Sequence, residues 1–286
     1  MNTVTREHVE AMHEQMEEMW SHLGVLFDRL ETGHENGPGW DAPHGEDWIL
    51  ADVPYHLAYC NRDVVARGIE LGPDYPDDQR ELLQDAEQLS AWNERKFAER
   101  PPGQTPAESV TQWRASCMII RGQLGDMNDA ALDRKAWMPL LMGWATVRHL
   151  LMFGLTHDWS EFTQLRIHMG LSEPQPSPAI TTAYLSSILS FYPRWLDREA
   201  AAGRHFTTVL AFNDPGVGEW TIEVADGQAT VRAGAADDAD LVLTQSSETY
   251  EKTLRGIQDP AEAIRSGDVR VSDPEALSLF AALFPG

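Results

Sequence analysis

The spacing of apolar residues changes once along this chain, and the change coincides with a proline-rich stretch. Before residue 171, apolar residues recur every three or four positions, as in "VEAMHEQMEEMWSHLGVLFDRL", which is the period of an amphipathic helix. After residue 204 they alternate with polar residues, as in "GEWTIEVADGQATVRAG", which is the period of a half-buried strand. Between the two lies "LSEPQPSPAI", with three prolines in ten residues. A chain of this pattern folds as a helical part followed by an α+β part.

We therefore predict a helical domain over 1–172, a linker over 173–179 and an α+β domain over 180–286. In the first domain the pattern predicts helices over 3–31, 49–71, 79–99, 104–127 and 145–170. Thr105 and Glu108 have the spacing of a capping box at the start of the fourth of these. In the second domain it predicts a helix over 179–202, then three strand-like segments, then helices over 247–255, 260–266 and 274–284, with a short strand before the last. Asp226–Gly227 predicts a hairpin turn within the middle strand-like segment.

The net charge and the cysteine content limit which binding partners and which cellular compartment the protein can have. The chain has 22 basic and 45 acidic residues, so its formal net charge is -23. This charge argues against nucleic-acid and anionic-lipid partners. There is no run of about 18 apolar residues for a membrane span, and the N-terminus has no apolar segment of a secretory signal. Two cysteines, Cys60 and Cys117, make neither a disulfide framework nor a zinc-knuckle spacing. We expect a cytoplasmic protein with no membrane or nucleic-acid partner.

The stretch "GLTHDWSEFTQL" contains the first candidate site. His157 and Glu161 are four residues apart on a predicted helix, so they share one face. Leu150, Phe153 and Leu165 flank that face, which suggests that it points inward. The pair alone is weak evidence, because such pairs are common on solvated helices and a buried pair can satisfy its own hydrogen bonds.

A third polar residue, His56, lies among apolar neighbours on the second predicted helix. A lone histidine there is usually a satisfied core residue, but three polar groups on two helices can converge inside a bundle, where bundles build metal sites. Two neutral imidazoles and a carboxylate are the ligands of a catalytic zinc site with an open fourth position, and they also suit Ni²⁺ or Fe²⁺. Asp52, one turn before His56, is either a carboxylate that orients its ring or a solvated residue at the helix start.

Two nearby histidines are expected to stay outside the ligand set, and the role of one nearby cysteine is left open. Cys60 follows His56 by one turn and is either a fourth ligand or a buried apolar residue. His149 turns away from the face of His157, and His168 lies about 16 Å along the helix axis, so neither should join the same ligands.

Two segments resemble the DinB-like family. "DWILADVPYHLA" resembles the start of its second helix, and "TVRHLLMFGLTHDWSEFTQL" resembles its last bundle helix, where two ligands four residues apart precede a Gln by three. The resemblance implies an up-down-down-up four-helix bundle whose metal is bound at His56, His157 and Glu161, with Gln164 in a supporting position. Glu161 departs from the pattern, since many relatives have His there.

The second half resembles the sterol-carrier-protein-2-like (SCP2-like) fold, through "FTTVLAFNDPGVGEWTIEVADGQATV", "ADLVLTQSSETYEKTLRG" and "DPAEAIRSGDVRVS". A DinB-like bundle joined to such a domain is the layout of the mycothiol-dependent maleylpyruvate isomerase group and of related mycothiol S-transferases. Only three of the 22 basic residues are lysine, an arginine bias that agrees with an actinobacterial host.

The resemblance implies an enzyme that binds a divalent metal, zinc foremost, and holds mycothiol as a thiolate for attack on a small electrophile, by isomerisation or by S-transfer. Three arginines of the second domain are either ligands of a substrate carboxylate or solvated surface residues: Arg204, Arg255 and Arg265. Two other functions stay open, a metal-dependent hydrolase of the amidase type that uses metal-bound water and a carrier of lipid or another apolar ligand. A monomer and a homodimer are both compatible with the sequence.

Overall fold

The structure, a computed structural model, describes residues 5–33, 38–44, 48–83, 86–138, 143–172 and 175–285. The chain divides into two compact units, Met1–Pro176 and Ser177–Gly286. The division falls in the proline-rich stretch at which the apolar period changes. Residues 173 and 174 of the predicted linker lie outside the described residues.

The first unit is mostly helical. Its helices are α1 (Glu7–Thr32), α2 (Val53–Tyr59), α3 (Arg67–Leu71), α4 (Ala86–Ala98), α5 (Pro106–Gly125), α6 (Asp129–Leu132) and α7 (Val147–His168). A π-helix, Cys60–Ala66, joins α2 to α3, and short 3-10 turns occupy Leu50–Asp52, Gly72–Asp74 and Asp77–Gln79. The described residues of this unit also form two antiparallel strand pairs, β1 (Pro43–His44) with β2 (Trp48–Ile49) and β3 (Lys135–Met138) with β4 (Gly143–Thr146).

One sequence prediction for the first unit is confirmed and three details differ. The capping box is confirmed, since Thr105 Oγ1 accepts from the Glu108 N–H and a Glu108 carboxylate oxygen accepts from the Thr105 N–H. The helix predicted from residue 79 begins at Ala86. The π-helix within 49–71 was not predicted. The two hairpins were not predicted either, because strands of two to four residues are too short to show an alternating pattern.

Close helix packing sets the positions of the site-bearing helices. α1 packs against α7 and α5, and α2 packs against α5. Where α7 meets the π-helix, Gly154 allows the close approach, because a Cβ there would lie 3.2 Å from Cγ2 of Val65. Among the described residues no helix combines the length and the apolar character that crossing a bilayer requires. The up-down-down-up order of the helices stays a prediction.

The second unit is an α+β fold built on a five-stranded sheet of order β7-β6-β5-β8-β9. Its strands are β5 (His205–Phe212), β6 (Gly218–Ala225), β7 (Gln228–Ala233), β8 (Leu241–Gln245) and β9 (Arg270–Val271). β5 and β8 are parallel, and the other neighbouring pairs are antiparallel. Its helices are α8 (Pro178–Leu189), α9 (Tyr192–Trp195), α10 (Ser247–Leu254), α11 (Pro260–Ser266) and α12 (Pro274–Leu283).

The hairpin predicted in the second unit is confirmed, and one predicted helix is shorter than expected. Asp226 and Gly227 both have positive φ, 50° and 75°, as a two-residue hairpin turn requires. This turn divides the middle strand-like segment into β6 and β7, so four strands precede α10 instead of three. The helix predicted over 179–202 ends at Leu189, because Pro193 has no N–H for a continuing helix and instead lies in the first turn of the short α9.

Candidate metal centre

Two imidazoles and a carboxylate meet in the interior of the first unit. His56 on α2 and His157 on α7 place their Nε2 atoms 2.8 Å apart. Oε1 of Glu161, one turn after His157 on α7, lies 3.8 Å from Nε2 of His56 and 4.0 Å from Nε2 of His157. His56 and Glu161 are buried and His157 is half-buried. The structure thus brings together the three residues that the sequence predicts as ligands.

The spacing of these three atoms fits a divalent cation. The three donor atoms lie 2.8–4.0 Å from one another, close enough to share one cation, and imidazole nitrogen with carboxylate oxygen is a donor set that Zn²⁺ accepts. Three donors of this kind leave a fourth tetrahedral position for another ligand. Without a cation, 2.8 Å is the length of a hydrogen bond in which one Nε2–H donates to the other ring. The three residues can therefore bind a cation, and without a cation the two imidazoles can hydrogen-bond to each other.

The ring of His56 is held in the tautomer that a metal ligand needs. Its Nδ1 lies 2.5 Å from the Tyr59 hydroxyl, and that hydroxyl donates to Oδ1 of Asn93 on α4 at 2.8 Å. Because the tyrosine proton is used toward Asn93, the hydroxyl oxygen accepts from Nδ1–H of His56. The Nε2 lone pair is then directed toward His157 and Glu161. Such a partner on the outer nitrogen is typical of metal-binding histidines.

The two oxygens of Glu161 have separate surroundings. Oε1 faces the two imidazoles, whereas Oε2 lies 3.3 Å from Nε2 of His44, a buried residue of β1. The other nitrogen of that ring, Nδ1, lies 3.2 Å from Nδ1 of His168 near the end of α7. His44 therefore donates to one oxygen of the carboxylate and leaves the other free to bind a cation.

Burial and the neighbouring charges set the protonation states. Burial lowers the pKa of His56 to about 3, helped by the nearby imidazole of His157, so the ring is neutral at pH 7. Burial also raises the pKa of Glu161, but the hydrogen bond from His44 and the three imidazoles more than offset this and bring it to about 2. A neutral imidazole and an ionised carboxylate are the forms that bind metal.

His44, like Tyr59, is a site residue that the sequence pattern does not mark. It lies in the Gly- and Pro-rich stretch read as a loop, where no periodicity marks its orientation. In the structure His44 pairs with Trp48 across the hairpin, and the Trp48 ring contacts the His56 ring edge-on at 4.7 Å between centroids. In the sequence, His44 stands four residues before Trp48, which leads into the helix of His56. This signal is too weak to identify His44 as a site residue.

Two residues predicted to support the ligands contact other groups. Asp52 accepts from the Ile49 N–H at 3.0 Å and from Arg100 at 2.8 Å, and so holds the start of the helical segment instead of the His56 ring. The hydrogen bond expected from Asp52 is made by Tyr59. The Gln164 side-chain amide donates to Ser160 Oγ at 3.2 Å, and the position beside Glu161 is taken by His44.

The second unit contains all three candidate arginines for substrate binding. Arg255 donates to the buried Glu251 on α10 at 3.1 Å, so its guanidinium has a structural partner. Arg204 and Arg265 are exposed. Their role in binding substrate stays a prediction.

No family model matches the sequence, and no curated protein does. Among solved structures, a mycothiol-dependent maleylpyruvate isomerase is similar over 91% of this chain and 92% of its own length, at 12% identity and a TM-score of 0.46. A UbiJ-SCP2 ubiquinone synthesis protein covers 38% of this chain and 93% of its own, at 22% identity and a TM-score of 0.28. A sterol carrier protein 2 covers 32% and 81%, at 25% identity and a TM-score of 0.26. These are the groups that the sequence motifs resemble, but with values this low the function has to follow from the site residues.

Proposed function

We propose that this protein is a metal-dependent enzyme that binds a low-molecular-weight thiol, mycothiol, and directs its sulfur at a small electrophile. The observation that carries the proposal is the buried set of His56, His157 and Glu161, whose three donor atoms have the spacing of ligands around one divalent cation. The reaction is either isomerisation or S-transfer.

A bound divalent cation with an open position would hold a thiol as its thiolate and lower its pKa. Three features of the site favour the binding of such a cation and thiol. His56 and His157 supply neutral nitrogen donors, Tyr59 keeps Nδ1 of His56 protonated, and His44 holds one oxygen of Glu161. Borderline ions such as Zn²⁺ accept both imidazole and thiolate ligands, so this donor set suits a soft cosubstrate.

The first test measures metal. Purified wild-type protein, freed of metal with a chelator and then supplied with Zn²⁺, should bind one equivalent. His157→Ala should bind none at the same site while its far-ultraviolet circular dichroism stays helical. The matched control is His149→Ala on the same helix, since His149 is exposed and contacts Thr146. Failure of the wild type to bind any divalent ion would overturn the proposal.

The second test measures thiol dependence. Zinc-loaded enzyme, mycothiol and a fluorogenic electrophile such as monochlorobimane should give a conjugate faster than the reaction without enzyme. Omitting the zinc should return the rate to that background, and His157→Ala should do the same. Metal binding without any effect of mycothiol, together with cleavage of an amide substrate, would instead favour the hydrolase.

A further inference from the structure

Cys60 lies beside the two histidines, at the point where the second helical segment changes its winding. Its N–H still bonds to the His56 carbonyl, so its side chain follows that of His56 by one α-helical turn. The π-helix begins at Cys60 itself, and short π-helical segments are frequent at functional sites. The side chain is 3% exposed.

The sulfur has the separation of a ligand from the same cation. Cys60 Sγ lies 3.9 Å from Nε2 of His56, and one donor atom each from His56, Cys60 and His157 all lie within 4.8 Å of one another. Nitrogen and sulfur ligands on one tetrahedral zinc ion are separated by about 3.5 Å, given bonds of about 2.0 and 2.3 Å. The distance from Sγ to Nε2 of His56 is therefore about 0.4 Å longer than the separation of two such ligands on one zinc ion.

The charge of the site provides a second, independent argument. A divalent cation held by two neutral imidazoles and the Glu161 carboxylate keeps one uncompensated positive charge, and burying such a charge is costly. Asp158, the next carboxyl on α7, accepts from the Trp20 indole N–H at 2.9 Å and so already has a different partner. Asp63 is already paired with Arg62 and Lys96. A thiolate at Cys60 would make the site neutral.

We infer that Cys60 binds the cation as a fourth ligand when no external thiol is present, giving a closed site of two histidines, one glutamate and one cysteine. The inference rests on the proposed function, because it requires the metal at His56, His157 and Glu161. On metal binding the Cys60 S–H bond breaks, an S–metal bond forms and the proton leaves to solvent. When mycothiol enters, its sulfur takes the position of Cys60, and its thiol proton passes to the Cys60 sulfur. The charge of the site is the same before and after this exchange.

The competing role for Cys60 is that of an apolar core residue. It packs in a cluster with Tyr55, Tyr59, Val64 and Trp92, and a buried cysteine often has no other function. Cys117 offers a matched control, because it is also buried and reduced but its sulfur contacts Asn61 instead of the histidines. A merely structural cysteine and a metal ligand differ in whether sulfur is found in the coordination shell.

The experiment is zinc-edge X-ray absorption of the zinc-loaded protein in a buffer without thiols. Wild type and Cys117→Ala should each show one sulfur at about 2.3 Å and nitrogen or oxygen donors at about 2.0–2.1 Å. Cys60→Ala should show no sulfur. Its Kd for zinc should increase by more than the about 10–100-fold that is typical when a partner of a ligand is removed. Cys60→Ser, which keeps the size of the side chain, provides a second variant if the alanine protein does not fold. Cobalt-loaded wild type and Cys117→Ala should both show the near-ultraviolet band of thiolate-to-cobalt charge transfer.

The outcomes separate this inference from the proposed function. Zinc bound through His157 with no sulfur in the wild-type shell overturns the role of Cys60 and leaves the proposed function standing. A protein that binds no zinc overturns both. After addition of mycothiol, one sulfur should remain in wild type and one should appear in Cys60→Ala. Two sulfurs in wild type would overturn the exchange.

Discussion

Removing His44 should weaken metal binding without removing any ligand. His44 donates to Oε2 of Glu161, and the substitution His44→Ala leaves a buried carboxylate without this partner. A hydrogen bond to a charged group contributes about 1.5–3 kcal/mol. The distance of 3.3 Å is long for a charge-assisted bond, so the lower part of that range applies. At about 1.4 kcal/mol per factor of ten, the Kd for zinc should rise by about tenfold.

The same substitution should move the acid limit of zinc binding. The pKa of Glu161 is about 2 because the imidazoles offset the effect of burial. Without His44 the effect of burial is less opposed, so the pKa rises and the carboxylate is protonated at higher pH. A carboxylate whose pKa is lowered by folding stabilises the folded protein at pH values above its unfolded pKa of about 4.3. This stabilisation is lost as the pH falls toward 2. Zinc affinity of His44→Ala should therefore begin to fall at a higher pH than that of wild type.

The assay is competition with a chromophoric zinc chelator over a range of pH values, with circular dichroism as the check on folding. His44→Gln should restore most of the affinity, because the glutamine amide can donate to Glu161 from the position of Nε2. His149→Ala should behave as wild type. A Kd for His44→Ala within twofold of wild type, while His157→Ala binds no zinc, would refute the role assigned to His44.

Three further predictions concern the fold. In metal-free protein, burial raises the pKa of Asp158 to about 8. The free energy of unfolding should therefore fall as the pH rises from 4 to 8, by up to about 1.4 kcal/mol per pH unit. Urea titrations of Asp158→Asn should show a weaker dependence of this free energy on pH. Gly68→Ala should lower the free energy of unfolding by about 1–3 kcal/mol, because the new Cβ would lie 2.8 Å from the Trp137 carbonyl oxygen. Gly122→Ala, with no atom within 4 Å of the new Cβ, should raise it by up to about 1 kcal/mol, and the opposite order in urea would contradict the packing argument. Limited proteolysis should cut first between 171 and 180, and a dominant first cut inside α7 would count against two separately folded units.

The sequence by itself determined the parts of the site that lie within one helix. Residues four apart share a helical face whatever the rest of the chain does, so His157 and Glu161 could be predicted to point the same way. Apolar spacing likewise placed His56 on an inward stripe of the second helical segment. The hairpin at Asp226–Gly227 was readable for the same reason, because its turn depends on the local preference of those residues for positive φ.

Tertiary structure decided which groups complete the site. His44 reaches Glu161 only because β1 and β2 pair and because β1 packs against α7, and no local pattern encodes a contact between residues 117 positions apart. His168, too far along α7 to join His157, reaches the site through the ring of His44. Tyr59 takes the place expected for Asp52, since Asp52 is held by Arg100 from the end of the neighbouring helical segment. Helical periodicity fixes directions around one axis, whereas the distances between axes follow from packing, and the identity of each partner in this site depends on those distances.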